Sequence, residues 1–227
     1  MANVLELASR IAVDLLFPPQ CGVCGRGGSL LCDACAAALP RAGGNRCGRC
    51  WRPSSRPTCA DCFEETPAFE SVRAAFVMDG EARRLVHQLK YQGLSALGAP
   101  MARLMDDVPE ADVVVPVPLH RGRQRSRGYN QAAELAKHIA LAAGVAYDDL
   151  AARRVRATAP LARSQGRDER RRIVAGAFAG ARERVEGRRI LLVDDVVTTG
   201  ATLDACARAL LDAGATAVRC VTFARAD

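Results

Sequence analysis

Residues 189–205 read R-I-L-L-V-D-D-V-V-T-T-G-A-T-L-D-A. Ile190, Leu191, Leu192 and Val193 form an unbroken apolar run, the pattern of a strand buried on both faces of a parallel sheet. Two adjacent carboxylates, Asp194 and Asp195, end that run. Val196 and Val197 lead into a small-residue turn, Thr198-Thr199-Gly200-Ala201-Thr202, and apolar periodicity from about Leu203 to Leu211 predicts a helix. The order is therefore strand, acid pair, small loop, helix, which makes the chain an α/β protein with its chemistry at the end of a strand.

Each part of that order has a chemical use. Small residues let the backbone approach a ligand closely, Gly200 permits unusual dihedrals, and the free amides that open a helix attract an anion, most often a phosphate. Threonine hydroxyls add donors to the same oxyanion. Asp194 and Asp195, just upstream, suit a group of hydroxyls or a divalent metal holding them. One end of the ligand should be a phosphate and the next part a sugar. A nucleotide loop of the G-x-x-x-x-G-K-[ST] kind is excluded, because no lysine follows the glycine.

The run V-D-D-V-V-T-T-G-A-T resembles the phosphoribosyl pyrophosphate (PRPP) motif of type I phosphoribosyltransferases. The resemblance implies that Asp194 and Asp195 bind the ribose hydroxyls and serve catalysis. It further implies that Val196, Val197, Thr198, Thr199, Gly200, Ala201 and Thr202 enclose the 5'-phosphate, with Mg2+ accompanying PRPP.

With 227 residues the chain can form one moderate α/β domain and a small appendage. Its formal charge of +7 favours polyanionic ligands without choosing between phosphate compounds and nucleic acid, and with 4% aromatics no stacking platform for single strands is evident. Residues 2–17 place Val4, Leu7, Ala8, Ile11, Ala12 and Leu15 at helical spacing, interrupted by Glu6, Arg10 and Asp14. That pattern fits a short amphipathic helix docking on its own domain, and neither a signal peptide nor a membrane span, so a cytoplasmic location is expected.

Eight of the ten cysteines form four C-x-x-C pairs: Cys21/Cys24, Cys32/Cys35, Cys47/Cys50 and Cys59/Cys62. A C-x-x-C turn presents two thiolates about one tetrahedral edge apart, so two turns complete a four-cysteine zinc site and eight ligands make two. An iron-sulfur cluster and disulfides are the competing uses. Sequential pairing follows from the short loops between pairs; pairing first with third uses the same ligands. Metal would replace the core that this Gly-, Pro- and Arg-rich segment lacks. Trp51 is expected to pack, and Cys206 and Cys220 to be buried thiols.

Further along, Ser71–Met78 reads as a strand and Glu81–Tyr91 as a helix with Leu85, Val86 and Leu89 on one face. Lys90 in its last turn either points at the site or complements the helix dipole. The strand Val113–Pro118 leads to Arg121, Arg123, Arg125 and Arg127, which in an extended loop would project to one side as an anion receiver. Gly128 is expected to start the next helix. A second basic stretch, Arg153–Phe178, is expected to be a mobile loop that closes over a diphosphate.

The sequence V-P-V-P-L-H-x-x-R-x-R-x-R-G-Y-N-Q, together with L-V-H-Q-L-K-Y-Q-G, the late PRPP-like motif and the C-x-x-C knuckles, resembles the ComF family over essentially the whole chain. The resemblance implies a type I phosphoribosyltransferase fold at 67–227, preceded by a double zinc ribbon at 18–66 and the N-terminal helix at 1–17. Arg125 and Arg127 would hold pyrophosphate. Phosphoribosyl transfer is the implied activity, in a role linked to natural transformation with a helicase-like partner. A non-catalytic protein that senses PRPP or holds single-stranded DNA is the alternative.

Overall fold

The computed structural model describes residues 18–158 and 167–226. The expected helix at 2–17 and the centre of the expected closing loop, 159–166, lie outside the described residues.

Five parallel strands form the central sheet in the order β1-β7-β6-β2-β3: β1 Ser71–Val77, β2 Val113–Pro116, β3 Ala146–Tyr147, β6 Arg189–Val197 and β7 Ala217–Arg225. β6 is interior, bonded to β2 on one side (Val115 opposite Leu192) and to β7 on the other (Val193 opposite Val221). Alternation along β6 divides its side chains between two cores. Ile190 and Leu192 pack with Leu203, Cys206 and Leu210 of helix α9 (Ala201–Asp212). Leu191 and Val193 pack with Leu85, Val86 and Leu89 of helix α3 (Gly80–Tyr91) and with Leu135 and Ile139 of helix α6 (Gln131–Ala143). The continuous apolar run thus has the cause inferred for it: neither face meets water.

Two expectations are corrected. β6 does not stop before the acid pair but continues through it, with Asp194 opposite Thr222 and Val197 opposite Arg225. The arginine run is not an extended loop. It is helix α5 (Arg121–Arg127), capped by the His120 ring nitrogen accepting from Gly122 N–H at 3.2 Å and ended by Gly128 at φ 83°. Gly128 therefore terminates one helix, and the next begins at Gln131 with Asn130 as its cap. Arginine and glutamine are good helix formers, and no β-branched residue interrupts them.

The cysteine segment contains helices α1 (Asp33–Ala37) and α2 (Ala60–Glu64) and lies along the outer edge of β1. Val77 N–H donates to Pro40 (2.8 Å), Ala42 N–H to Ala75 (3.0 Å) and Val72 N–H to Arg49 (2.6 Å). The edge of the sheet is thereby closed to other chains. Helix α4 (Gly98–Arg103) follows α3, while helix α7 (Arg167–Val174), the antiparallel pair β4 (Ala152–Arg154) and β5 (Phe178–Gly180), and helix α8 (Arg182–Val185) fill the stretch before β6. The described flanks of the expected mobile loop are thus a strand pair and a helix. Trp51 packs as expected, and Cys206 and Cys220 are fully buried, their thiols pushed up by burial.

β5 crosses α9 closely at Gly180, where an added methyl would lie 2.6 Å from the Ala209 carbonyl oxygen and 2.7 Å from Ala213 Cβ. Gly180→Ala should therefore destabilise the fold by about 1–3 kcal/mol, read as a lowered urea midpoint at unchanged m-value.

Candidate functional site

The site forms where β2 and β6 end side by side, in a cleft of about 740 Å³. One wall is the turn between β6 and α9. Gly200 takes φ 84°, a left-handed conformation that a side chain would strain, and a methyl added there would meet the Phe69 ring at 3.7 Å. Thr199 Oγ1 accepts from Ala201 N–H at 3.4 Å, and the Thr198 carbonyl is held from behind by a guanidinium nitrogen of Arg225 at 3.0 Å. Val196, Thr198 and Thr202 line the cleft, Val197 and Ala201 are buried, and Thr199 and Gly200 border a smaller recess against Cys50 and Cys62.

The pleat separates the two carboxylates at the rim. Asp195 shares a face with Leu191 and Val193 and meets Lys90 from the end of α3, Nζ to Oδ2 at 2.6 Å. Burial opposes its charge, but the ammonium holds the Asp195 carboxyl below the usual carboxylate range. Lys90 gains in return: despite burial, Asp195 strengthens its hold on its proton. Asp194 turns to the other side, where its charge acts on Arg154 and Cys206, and its Oδ1 accepts from Asp195 N–H at 2.9 Å. Burial, with the Asp195 charge beside it, pushes Asp194 well above the carboxylate range. The neighbouring acids are thus pushed in opposite directions, Asp195 down by Lys90 and Asp194 up by burial, a combination suited to hydroxyls or to an arriving cation.

The opposite wall is cationic. Four residues apart on α5, Arg123 and Arg127 share the face that lines the cleft. Arg127 donates to Gln131 at 2.9 Å and lies 5.0 Å over the Tyr91 ring. Arg121 and Arg125 lie on the other side of the helix, exposed and outside the cleft lining. Arg154 was not singled out from the sequence. It sits over Phe178 (5.2 Å), burial and the nearby Arg123 charge loosen its hold on its proton, and its buried Nε has no hydrogen-bond partner among the described residues. The i, i+4 spacing of 123 and 127 was readable once a helix was assigned; nothing local marks Arg154. Asn130 fixes the approach to α6, donating to the Val117 carbonyl at 3.0 Å and accepting from Ala132 N–H at 3.2 Å.

The eight cysteines gather as two sets, Cys21/Cys24/Cys32/Cys35 and Cys47/Cys50/Cys59/Cys62, with the Sγ atoms of each set within 4.8 Å of one another. Pairing is sequential. Cys24 and Cys32 sulfurs are 3.8 Å apart and Cys50 and Cys59 sulfurs 3.7 Å. Disulfide bonding needs about 2.05 Å, whereas zinc with bonds of about 2.3 Å has tetrahedral edges of about 3.8 Å. Burial works against ionising Cys21 and Cys47, but backbone N–H groups of both knuckles in each set lower the two thiols to about 6. Both sets therefore fit zinc. The second is the more enclosed: all four of its cysteines are buried, whereas Cys24 is exposed.

Asp194 makes stability pH-dependent. Folded chain binds its proton more tightly than unfolded chain, so stability falls as the pH rises from the ordinary value of 3.8 through the folded pKa. Asp195 acts in the separate window below 3.8, where its contribution is lost as the pH falls. Asp194→Asn should abolish the first slope and stabilise the ligand-free protein by about 1 kcal/mol at high pH. Asp195→Asn, which leaves Lys90 buried without its partner, should cost about 3 kcal/mol. Urea midpoints of the three proteins across the pH range check both signs.

Comparison with known proteins agrees with this architecture. The family model described as "Phosphoribosyl transferase domain" matches residues 109–227, and that described as "Double zinc ribbon domain" matches residues 12–63. The chain is 33% identical over 201 residues to the DNA utilization protein YhgH of Salmonella typhi, covering 83% of this chain and 87% of that one. It is 27% identical over 203 residues to the competence protein ComFC of Bacillus subtilis (strain 168), covering 81% and 79%. A solved glutamine PRPP amidotransferase from B. subtilis aligns with TM-score 0.39 and 26% identity over 60% of this chain and 26% of that one. With a phosphoribosyltransferase-type sheet whose edge is closed by the segment that carries two four-cysteine clusters, the chain belongs to the ComF family.

Proposed function

We propose that the cleft binds PRPP with Mg2+ and that the protein transfers its phosphoribosyl group to an acceptor. The observation that carries this reading is one cleft with an anion-receiving turn on one wall, arginines on the other and the Asp194/Asp195 carboxylate pair, one of them ion-paired to Lys90, between them. Thr198, Thr199, Gly200, Ala201 and Thr202 would take the 5'-phosphate, and Asp194 and Asp195 the ribose hydroxyls. Arg127 and Arg123, from the far wall, would face the diphosphate. The bond from C1 to the diphosphate oxygen breaks with its electron pair leaving on oxygen, and positive charge develops on the ribose ring. An acceptor lone pair then closes on C1. The chain's contribution is to hold sugar and leaving group in line and to meet departing charge with preorganised cations. Mg2+, when bound, would neutralise diphosphate charge, and the acid pair offers oxygen ligands for it. Zinc in the two cysteine clusters would be structural.

The relatives named for DNA utilization and competence support a role linked to DNA uptake or use, and in this reading the protein works in the cytoplasm beside a helicase-like partner. Among the described residues no helix is long and apolar enough to cross a membrane. A second reading, non-catalytic PRPP sensing or single-strand binding, draws on the exposed Arg121 and Arg125, which point away from the cleft. Salt-sensitive single-strand binding lost in Arg121→Ala/Arg125→Ala, without pyrophosphate release from PRPP, would favour it.

Calorimetric titration of the zinc-loaded protein with Mg2+ and PRPP tests the main reading. Asp194→Ala/Asp195→Ala should abolish binding. Arg127→Ala should weaken it about 10- to 100-fold, as loss of a charge-assisted contact does, while Arg125→Ala should leave it unchanged. No binding to the unaltered protein would refute the assignment.

A further inference from the structure

β7 ends at Arg225, whose side chain is the largest among the fully buried ones, 2% exposed. Its guanidinium spans two backbone carbonyls from distant parts of the chain: one terminal nitrogen donates to Cys50 at 2.7 Å, the other to Thr198 at 3.0 Å. Only arginine offers a planar fork of donors long enough to serve both at once; lysine has a single nitrogen. Thr198 opens the turn that walls the cleft, and Cys50 belongs to the second cysteine cluster. Cys50 and Cys62 share a small recess with Thr199, Gly200 and Ala201, whose remaining walls are Pro67, Phe69, Arg171 and Asp204.

The knuckle that presents the Cys50 carbonyl is held in an unusual shape. Trp51 follows Cys50 at φ 61°, the one non-glycine residue with positive φ among those described. At the matching position of the first cluster stands Gly25, φ 73°. A left-handed tryptophan costs about 1–2 kcal/mol, and three contacts offset it here: Trp51 N–H to the Cys47 carbonyl at 3.0 Å, the indole N–H to Ala74 at 3.0 Å, and Arg73 lying 4.5 Å over the ring. The first cluster packs elsewhere, with Gln88 of α3 donating to the Gly22 carbonyl at 3.1 Å.

We propose that Arg225 is a positioning residue that ties the phosphate-receiving turn to the second cysteine cluster, so that metal at Cys47, Cys50, Cys59 and Cys62 holds the Thr198–Thr202 turn in shape. Loss of that metal frees the Cys47–Trp51 knuckle, shifts the Cys50 carbonyl and leaves the turn anchored from one side only. Loss of the first metal does not reach it. Coupling is reciprocal, so an anion held by the turn slows departure of the second metal. This last consequence rests on the PRPP reading; the mechanical coupling does not.

Amide hydrogen exchange of residues 198–202 in the full-length, zinc-loaded protein tests it. Arg225→Lys, with two zinc ions per chain still present by elemental analysis, and Cys59→Ser, with the second zinc lost, should each raise exchange there about tenfold or more. Cys32→Ser, which removes the first zinc, should leave it unchanged. Protection equal to the unaltered protein in Arg225→Lys or Cys59→Ser, or an equal rise in Cys32→Ser, overturns the proposal. Should Arg225→Lys fail to fold, chelator-treated unaltered protein decides: exchange in the turn must rise with loss of the second zinc, not the first. In the same protein Mg2+ with PRPP should slow release of the second zinc several-fold. Release unaffected by PRPP that calorimetry shows to be bound counts against the coupling, whereas absence of PRPP binding refutes the functional reading and leaves the exchange result to judge the coupling alone.

Discussion

Burial of β6 on both faces is the constraint from which the remaining architecture follows. A strand whose successive side chains are all apolar must be covered twice, by α3 and α6 on one side and α9 on the other. Strands that run parallel need crossovers, and those crossovers bring the ends of α3 and α5 and the start of α9 to the same rim. Backbone amides and functional side chains converge there because every strand of the sheet points the same way. Function at this rim is a consequence of topology before it is a matter of individual residues.

The same pleat that divides Leu191 from Leu192 divides Asp195 from Asp194. Adjacent carboxylates in one buried place could not both stay ionised; facing opposite sides, they meet different neighbours. Lys90 satisfies one of them, and the other waits beside Arg154. Preorganisation of this sort is unfavourable in the empty protein and is relieved by a ligand that brings hydroxyls or a cation, a trade of stability for binding common at active sites.

The cysteine ribbon does more than stabilise itself. Small metal-dependent modules can hang from a domain by a linker, but here the chain between the two clusters pairs with the free edge of β1 and lends the sheet a covered border. Trp51 and Leu39 then reach opposite faces of the sheet, so the ribbon clasps the edge strand from both sides. Metal-held geometry is thus continuous with the hydrogen-bond network that supports the cleft.

Local sequence determined the elements whose causes are local. The apolar run of β6, the Thr/Gly turn, the sequential cysteine pairs and the periodicity of α3 could be read because burial, backbone freedom and metal-ligand spacing each leave a short-range imprint. Alternating arginines suggest an extended segment only because charge spacing, with no apolar face to set a period, does not separate strand from helix; α5 presents Arg123 and Arg127 to the cleft and leaves Arg125 outside its lining. For Lys90 the sequence offers two roles, and only its 2.6 Å approach to Asp195 distinguishes a site residue from a helix cap. Arg154 and Arg225 carried no local mark at all. Their partners lie on strands and knuckles far along the chain, and a long-range contact between a side chain and a distant carbonyl exists only once the sheet has brought the two together.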